Sequence, residues 1–241
     1  QGEDVVLIAR GAHGEAIAKN GLQVDSHWDS FNVRASVTDN PSTVGVVDLV
    51  LHCTKLYSNT EALPLLGRMV GPDTNILTIQ NGVTSGSMIA EHYGWDRVLQ
   101  GATYIEAGMP GPGRVHQSGS AARIEFGEND GSTTARTAAI RDLFDKPGIQ
   151  VEVSSNIVDS LWSKLVSVAS IGTTMTAARA TLPEVLASPR GEASIRTVME
   201  EIVAVGQSQG VNFPPRCAAV KLEGAKAGAD AYQSSLQYDL E

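Results

Sequence analysis

A lysine on the apolar face of a predicted helix is the residue best placed to do chemistry. Lys164 lies in a stretch where Ile157, Leu161, Val168 and Ile171 recur at helical spacing, and it falls on the same stripe. Such a lysine either extends its ammonium to the rim of the apolar surface or is held partly desolvated. Desolvation lowers the pKa of the amine and makes it a better acid near neutral pH. The spacing leaves both interpretations open, a surface lysine or a proton donor.

Polar residues follow three short apolar runs in the first half of the chain. They are Arg10, Lys55 and Asn81. In sheets of parallel strands, ligands bind beyond the carboxyl ends of the strands. Polar residues are also ordinary at strand ends, and Asn-Gly is a common turn pair. Their recurrence after successive runs nevertheless favours a ligand site.

Arg10 suggests which ligand. Where a dinucleotide fold binds NAD, an acidic residue at this place usually holds the ribose hydroxyls, whereas an arginine accommodates the 2′-phosphate of NADP. The sequence therefore predicts NADP as the cofactor. The competing interpretation is a surface arginine at the start of a loop.

The charge and composition argue against several classes of partner. The 241 residues carry a formal net charge of −9 without a basic run, whereas nucleic acid and anionic membranes attract clustered Lys and Arg. Cys53 and Cys217 fit neither a disulfide framework nor a zinc site, and no apolar run is long enough to span a bilayer. The histidines show no metal-ligand spacing; they are His13, His27, His52, His92 and His116. We expect a cytoplasmic protein that acts on a small molecule and holds no metal.

The elements that carry these residues predict an α/β fold. The first half alternates apolar runs with helical segments, as in a parallel sheet covered by helices, and the runs are as continuous as strands buried on both faces should be. The runs span residues 5–9, 47–53 and 75–79, and the helices span about 12–20, 58–70 and 84–93.

From Val98 the pattern changes to alternation, which predicts antiparallel strands around the loop 108–113. A helix at 132–145 and a strand at 150–153 follow. Beyond them only helical periods occur, at about 156–177, 182–187 and 190–210, and after Pro215. We therefore predict a sheet domain over residues 1–153 and a smaller helical domain over 154–241.

Several stretches together resemble the ketopantoate reductase (2-dehydropantoate 2-reductase) family. They are Leu7-Ile8-Ala9-Arg10-Gly11, Thr54-Lys55-Leu56-Tyr57, Gln80-Asn81-Gly82, Gly111-Pro112-Gly113-Arg114-Val115, Leu161-Trp162-Ser163-Lys164-Leu165 and Ser234-Ser235-Leu236-Gln237. The resemblance implies a Rossmann-like domain that binds NADPH and a helical domain for substrate and dimerisation. It also implies hydride transfer to a 2-oxo acid, foremost the reduction of 2-dehydropantoate to pantoate in pantothenate biosynthesis.

The resemblance assigns a role to each matching residue. Lys164 corresponds to the family's catalytic lysine, which protonates the carbonyl oxygen. Arg10 corresponds to the residue at the 2′-phosphate, and Ser235 to a serine that contacts the substrate. Lys55 and Asn81 correspond to residues that contact both cofactor and substrate. These roles are expectations from the family.

The sequence departs from the family in three places. The glycine-rich turn expected ahead of Val5 is not in the sequence, and neither is the acidic substrate ligand expected beyond the serine motif, so we expect a sheet domain incomplete at its start and a helical domain truncated at its end. Val168 and Gly172 also stand where the family has asparagines. Two alternatives follow: a reductase of another 2-oxo acid, or a non-catalytic binding protein on the same scaffold. A homodimer is compatible with either.

Overall fold

The computed structural model describes residues 2–232 and 234–240, which form two compact units. The first consists of the residues up to Gln80 together with Ser85–Ser155, and the second consists of Asn81–Thr84 and the residues from Asn156 onward. The turn that carries Asn81 therefore groups with the second unit although it follows a strand of the first. Among the described helices, none has both the length and the apolar character needed to cross a membrane.

The first unit combines strands and helices along the whole of its sequence. Its strands are β1 (Val6–Ile8), β2 (Leu22–Asp25), β3 (Ser30–Val33), β4 (Ser36–Thr38), β5 (Leu49–His52), β6 (Asn75–Thr78), β7 (Val98–Gly111), β8 (Arg114–Gly127) and β9 (Gln150–Val153). Its helices are α1 (Gly11–Asn20), α2 (Asn59–Leu65), α3 (Ser85–Tyr93) and α4 (Ala135–Phe144), with single 3₁₀ turns at Pro41–Thr43, Leu56–Ser58 and Leu66–Arg68.

The main sheet is mixed and has helices on both faces. Its strand order is β3-β2-β8-β7-β6-β5, and β9 pairs with the end of β8. β5, β6 and β7 are parallel neighbours, whereas β7 and β8 form an antiparallel hairpin. Successive residues of β6 face opposite sides: Ile76 packs with Ile89 of α3, and Leu77 packs with Ile140 of α4. Burial on both faces explains why the sequence of β6 is continuously apolar.

The first strand differs from the prediction that it is buried on both faces. Within the part of the chain that the structure describes, β1 pairs only with β4, in a parallel two-stranded sheet separate from the main one. Val5 and Ile8 beside and within it are 50% and 43% exposed. The continuous apolar run predicted the strand correctly, but the prediction of its burial was wrong. An apolar run does not specify how many strands pair with it.

Residues 22–38 contain three strands that the apolar pattern did not predict. β2 pairs antiparallel with β3 and parallel with the start of β8, where Gln23 lies opposite Arg114. β3 is exposed along its whole length. β2 and β3 do alternate apolar and polar residues, but over only four residues each, and the partner of β2 lies far along the chain, so the local pattern is too short to mark them.

Two glycines allow α1 to approach its neighbours closely. A Cβ atom at Gly14 would lie 2.4 Å from the carbonyl oxygen of Ala9, and one at Gly113, which has a φ of +70°, would lie 3.0 Å from Cβ of Ala16. The amide of Gly113 also donates a hydrogen bond to Nδ1 of His13 at 3.1 Å. The contacts of Gly113 hold α1 against the β7–β8 hairpin, and the absence of a side chain at Gly14 lets α1 pass close to Ala9.

The second unit is helical. Its helices are α5 (Ile157–Ala178), α6 (Leu182–Leu186), α7 (Pro189–Ser208), α8 (Cys217–Ala227) and α9 (Ser235–Tyr238), with a 3₁₀ turn at Ala229–Ala231. The side chain of Asn156 caps α5 by accepting a hydrogen bond from the amide of Asp159 at 3.3 Å. Val166 of α5, Ile195 of α7 and Leu222 of α8 belong to one buried apolar cluster, which makes α5 a rigid support for the side chains it carries.

Candidate active site

α5 carries Lys164 on the same side as its buried apolar residues. Ile157, Leu161 and Ile171 are at most 7% exposed, and Lys164 and Val168 are half-buried. The stem of the lysine therefore lies along the apolar stripe that the helical spacing indicates. This placement removes part of the water that would otherwise surround the ammonium group.

The ammonium group of Lys164 is held by an amide oxygen. Its Nζ donates a hydrogen bond to Oδ1 of Asn81 at 2.9 Å. Burial lowers the pKa of Lys164 from 10.5 to about 8, because the charged form loses hydration. The ammonium is still the main species at neutral pH, but it releases its proton more readily than an ordinary lysine. A fixed donor with a pKa close to neutral suits a general acid.

Asn81 is positioned by the turn at the end of β6. Gly82 has a φ of +111°, a backbone conformation that favours glycine. Gln80 is buried, with 6% of its surface exposed, whereas Asn81 is exposed. The turn thus anchors one amide side chain inside the first unit and leaves the next amide available to Lys164.

Gln80 is the centre of a buried polar network that the sequence did not predict. Its Nε2 donates to the carbonyl oxygen of Thr54 at 2.6 Å and to Oδ1 of Asn59 at 2.8 Å. Its Oε1 accepts from Nδ2 of Asn59 at 3.1 Å and from the hydroxyl of Ser85. The two amides therefore face each other as a reciprocal pair and join the ends of β5 and β6 to the starts of α2 and α3.

His52 extends this network along β5. Its Nε2 lies 3.0 Å from Oδ1 of Asn59 and 3.2 Å from the hydroxyl of Thr54. Burial lowers the pKa of His52, and the hydrogen bond with Asn59 opposes this effect in part. The spacing of the histidines predicts no site; His52 is a buried member of the polar network, two residues before Thr54.

Lys55 follows β5 and is exposed. It immediately precedes the 3₁₀ turn Leu56–Ser58, with an extended backbone at φ −65° and ψ 142°. The residue before it, Thr54, is bonded through its carbonyl oxygen to Gln80. Since β5 and β6 are parallel neighbours with His52 opposite Thr78, Thr54 and Gln80 meet at the same edge of the sheet.

Arg10 belongs to a different strand pair. It follows β1, which is not hydrogen-bonded to the main sheet, and it stands exposed immediately before Gly11, the first residue of α1. Its guanidinium does not cap the helix. The pairing of β5 with β6 therefore brings together Thr54 and Gln80, which precede Lys55 and Asn81. It does not bring Arg10 to them.

The serine motif places its two serines differently. Ser235 is exposed and begins α9, whereas Ser234 is buried, with 5% exposed. A Cβ atom at Gly172 would lie 3.1 Å from Oγ of Ser234 and 3.8 Å from Cβ of Leu236. The second turn of α5 beyond Lys164 is therefore packed against the serine motif and has no room for a larger side chain unless that motif moves.

Two family models match most of the chain. The model for "Ketopantoate reductase PanE/ApbA" matches residues 1–131, and the model for its C-terminal part matches residues 156–241. These matches fall on the sheet unit and the helical unit respectively.

Individual relatives give the same result. The 2-dehydropantoate 2-reductase of Mesorhizobium japonicum is 28% identical over 88% of this chain and 71% of its own length. The structure of 2-dehydropantoate 2-reductase from Geobacter metallireducens is 28% identical with a TM-score of 0.91, over 99% of this chain and 79% of that one. A PanE/ApbA family ketopantoate reductase from Ralstonia eutropha is 27% identical with a TM-score of 0.89, over 99% and 78%. The predicted fold class, a Rossmann-like α/β unit followed by a helical unit, is confirmed.

Proposed function

The chain belongs to the ketopantoate reductase family and is an oxidoreductase, and from that membership we propose that it reduces a 2-oxo acid with NADPH. The first candidate substrate is 2-dehydropantoate, which would place the reaction in pantothenate biosynthesis. The observation that carries the proposal is the half-buried Lys164, whose ammonium is hydrogen-bonded to Asn81 at 2.9 Å.

The polar residues of the chain suit a phosphorylated nicotinamide cofactor. Arg10 offers a guanidinium, which matches the geometry of a phosphate group, and Lys55 offers a compact cation. Asn81 offers an amide with both donor and acceptor atoms. Arg10 would hold the 2′-phosphate, and Lys55 and Asn81 would contact the cofactor at its reactive end. NADPH, when bound, would supply the hydride.

Lys164 would act as the proton donor in this reaction. As hydride arrives at the carbonyl carbon, negative charge develops on the carbonyl oxygen, and a preorganised cation beside it lowers the barrier. Proton transfer from Nζ to that oxygen completes the 2-hydroxy acid. Asn81 would keep the ammonium oriented. Lys55 and Ser235 are each proposed as a contact of the substrate, the first through its charge and the second through its hydroxyl.

A second candidate is a 2-oxo acid with an apolar side chain. The stripe of α5 beyond Lys164 continues with Val168, which is half-buried, and Gly172, which is packed against Ser234. Neither offers a side-chain hydrogen bond to the hydroxyl group of 2-dehydropantoate. A buried hydroxyl without a partner costs about 1–3 kcal/mol, so this surface favours a substrate without one.

The test is oxidation of NADPH by the protein that contains this sequence, with 2-dehydropantoate, 2-oxoisovalerate and phenylglyoxylate as substrates. We expect turnover with at least one of them, and Lys164→Ala should lower kcat about 100-fold or more. The matched control is Lys146→Ala, which removes an exposed lysine of the first unit.

The substrate that gives the highest kcat/KM distinguishes the two candidates. Lack of turnover with every 2-oxo acid would favour a binding protein on the same scaffold and would overturn the proposed function. Nearly unchanged turnover in Lys164→Ala would remove the lysine from its role while leaving the reductase assignment intact.

A further inference from the structure

The buried amide pair of Gln80 and Asn59 has no part in the chemistry proposed above. Both side chains are almost fully buried, with 6% and 0% of their surfaces exposed. They are separated by 21 residues of sequence and come from the end of β6 and the start of α2. Burying polar side chains gains little stability over apolar ones of similar volume, so a buried pair of this kind must be explained by what it holds in place.

Gln80 precedes one candidate site residue, and its side chain bonds to the residue that precedes another. Its Nε2 reaches the carbonyl oxygen of Thr54 at 2.6 Å and the hydroxyl of the same residue at 3.1 Å. Thr54 is followed by Lys55, and Gln80 is followed by Asn81. The hydrogen bonds between Gln80 and Thr54 therefore link the residue before Asn81 to the residue before Lys55.

The remaining contacts keep Gln80 itself in one orientation. Asn59 meets both ends of its amide, at 2.8 and 3.1 Å, and the hydroxyl of Ser85 donates to its Oε1. That hydroxyl also lies 2.6 Å from Oγ1 of Thr78, which is buried within β6. With donors and acceptors matched on both ends, the amide cannot flip without breaking several hydrogen bonds.

We infer that Gln80 is a positioning residue of the reductase, which fixes the orientation of Asn81 and through it the ammonium of Lys164. Asn81 is exposed and is connected to the rigid sheet through Gln80, which directly precedes it. Catalysis by an oriented donor is sensitive to displacements of about 1 Å. This inference rests on the proposed function, because it assigns Gln80 an effect on the proton donor.

The test compares variants at opposite ends of β6. Gln80→Met keeps the side-chain length and removes every hydrogen bond of the amide. The matched control is Thr74→Val, at the other end of the same strand. Thr74 is 2% exposed, and its hydroxyl accepts a hydrogen bond from the amide of Gly71 and donates one to the carbonyl oxygen of Val47. Ser85→Ala is a milder variant that removes one hydrogen bond to Gln80.

We expect Gln80→Met to lower kcat about five- to tenfold and Ser85→Ala to lower it about two- to threefold, while Thr74→Val leaves kcat within twofold. A double-mutant cycle distinguishes this effect from a general loss of rigidity in the protein. If Gln80 acts through Asn81, Gln80→Met should have almost no further effect on kcat in the Asn81→Ala background.

Each other outcome overturns the inference. Unchanged kcat in Gln80→Met, an equal loss in Thr74→Val, or multiplied losses in Gln80→Met/Asn81→Ala would each show that Gln80 does not act through Asn81. If Gln80→Met fails to fold, Ser85→Ala and its cycle with Asn81→Ala decide by the same criteria. Absence of turnover in the wild-type protein would instead sink the proposed function, so the two failures are distinguishable.

Discussion

Replacing Lys164 by methionine should abolish turnover and at the same time stabilise the protein at neutral pH. The half-buried ammonium is less well hydrated in the folded protein than in the unfolded chain, and its pKa falls from 10.5 to about 8. A difference of one in pKa corresponds to about 1.36 kcal/mol, so the upper bound of the penalty is about 3 kcal/mol. Since the side chain is partly exposed, screening by solvent reduces the expected gain to about 1–2 kcal/mol.

The pH dependence follows from the direction of the shift. Between about pH 8 and 10.5 the unfolded chain retains a proton that the folded protein has released. The free energy of unfolding therefore increases with pH in this window. The destabilisation caused by the buried ammonium is complete below about pH 8. The gain in Lys164→Met should be full at pH 7 and should largely disappear near pH 10.5.

The assay is denaturant unfolding followed by circular dichroism at pH 7 and pH 10, with Lys146→Met as the exposed control. Methionine keeps an unbranched apolar stem along the stripe of α5, and Asn81 is exposed, so its amide oxygen can accept a hydrogen bond from water instead. A lower unfolding free energy at pH 7 in Lys164→Met, or a gain that is the same at both pH values, would refute the argument that burial of the charge perturbs this lysine.

Other predictions follow from the same site. The proton donor must be protonated, so kcat/KM should fall about tenfold per pH unit above pH 8, as a pH–rate profile will show. Asn81→Ala should lower kcat about tenfold in the NADPH assay, because Lys164 loses a fixed acceptor. Gly172→Asn should destabilise the protein by roughly 1–3 kcal/mol in denaturant unfolding, because its Cβ alone would lie 3.1 Å from Oγ of Ser234. Arg10→Ala should raise KM for NADPH much more than KM for NADH in steady-state kinetics, because only NADPH carries the 2′-phosphate.

The sequence predicted those parts of the fold whose causes are local. β6 is buried on both faces, so its apolar run stands out, and α5 is long enough for its helical spacing to place Lys164 beside the buried residues. The strands β2 and β3 were missed because each alternates apolar and polar residues over only four positions and because β2 pairs with distant β8. The separation of β1 from the main sheet was missed for a related reason, since strand order is not encoded in the run itself.

The candidate site shows the same division. Lys164 and Asn81 were each predicted, but their hydrogen bond joins residues 83 positions apart, which no periodicity reports. The pair of Gln80 and Asn59 was not predicted, because a polar residue at a strand end suggests exposure, and only the fold supplies the buried partner 21 residues away.

The serine motif packs against Gly172 of α5, a residue without a side chain. The family resemblance assigned substrate contact to Ser235, and α9 is too short for helical spacing to indicate which serine faces α5. The structure buries Ser234 against Gly172, the residue two turns beyond Lys164. The Cβ atom of an asparagine at position 172 would lie 3.1 Å from Oγ of Ser234, so the serine would have to shift slightly. Enlarging residue 172 should therefore disturb the serine motif, and substrate preference and stability should respond together.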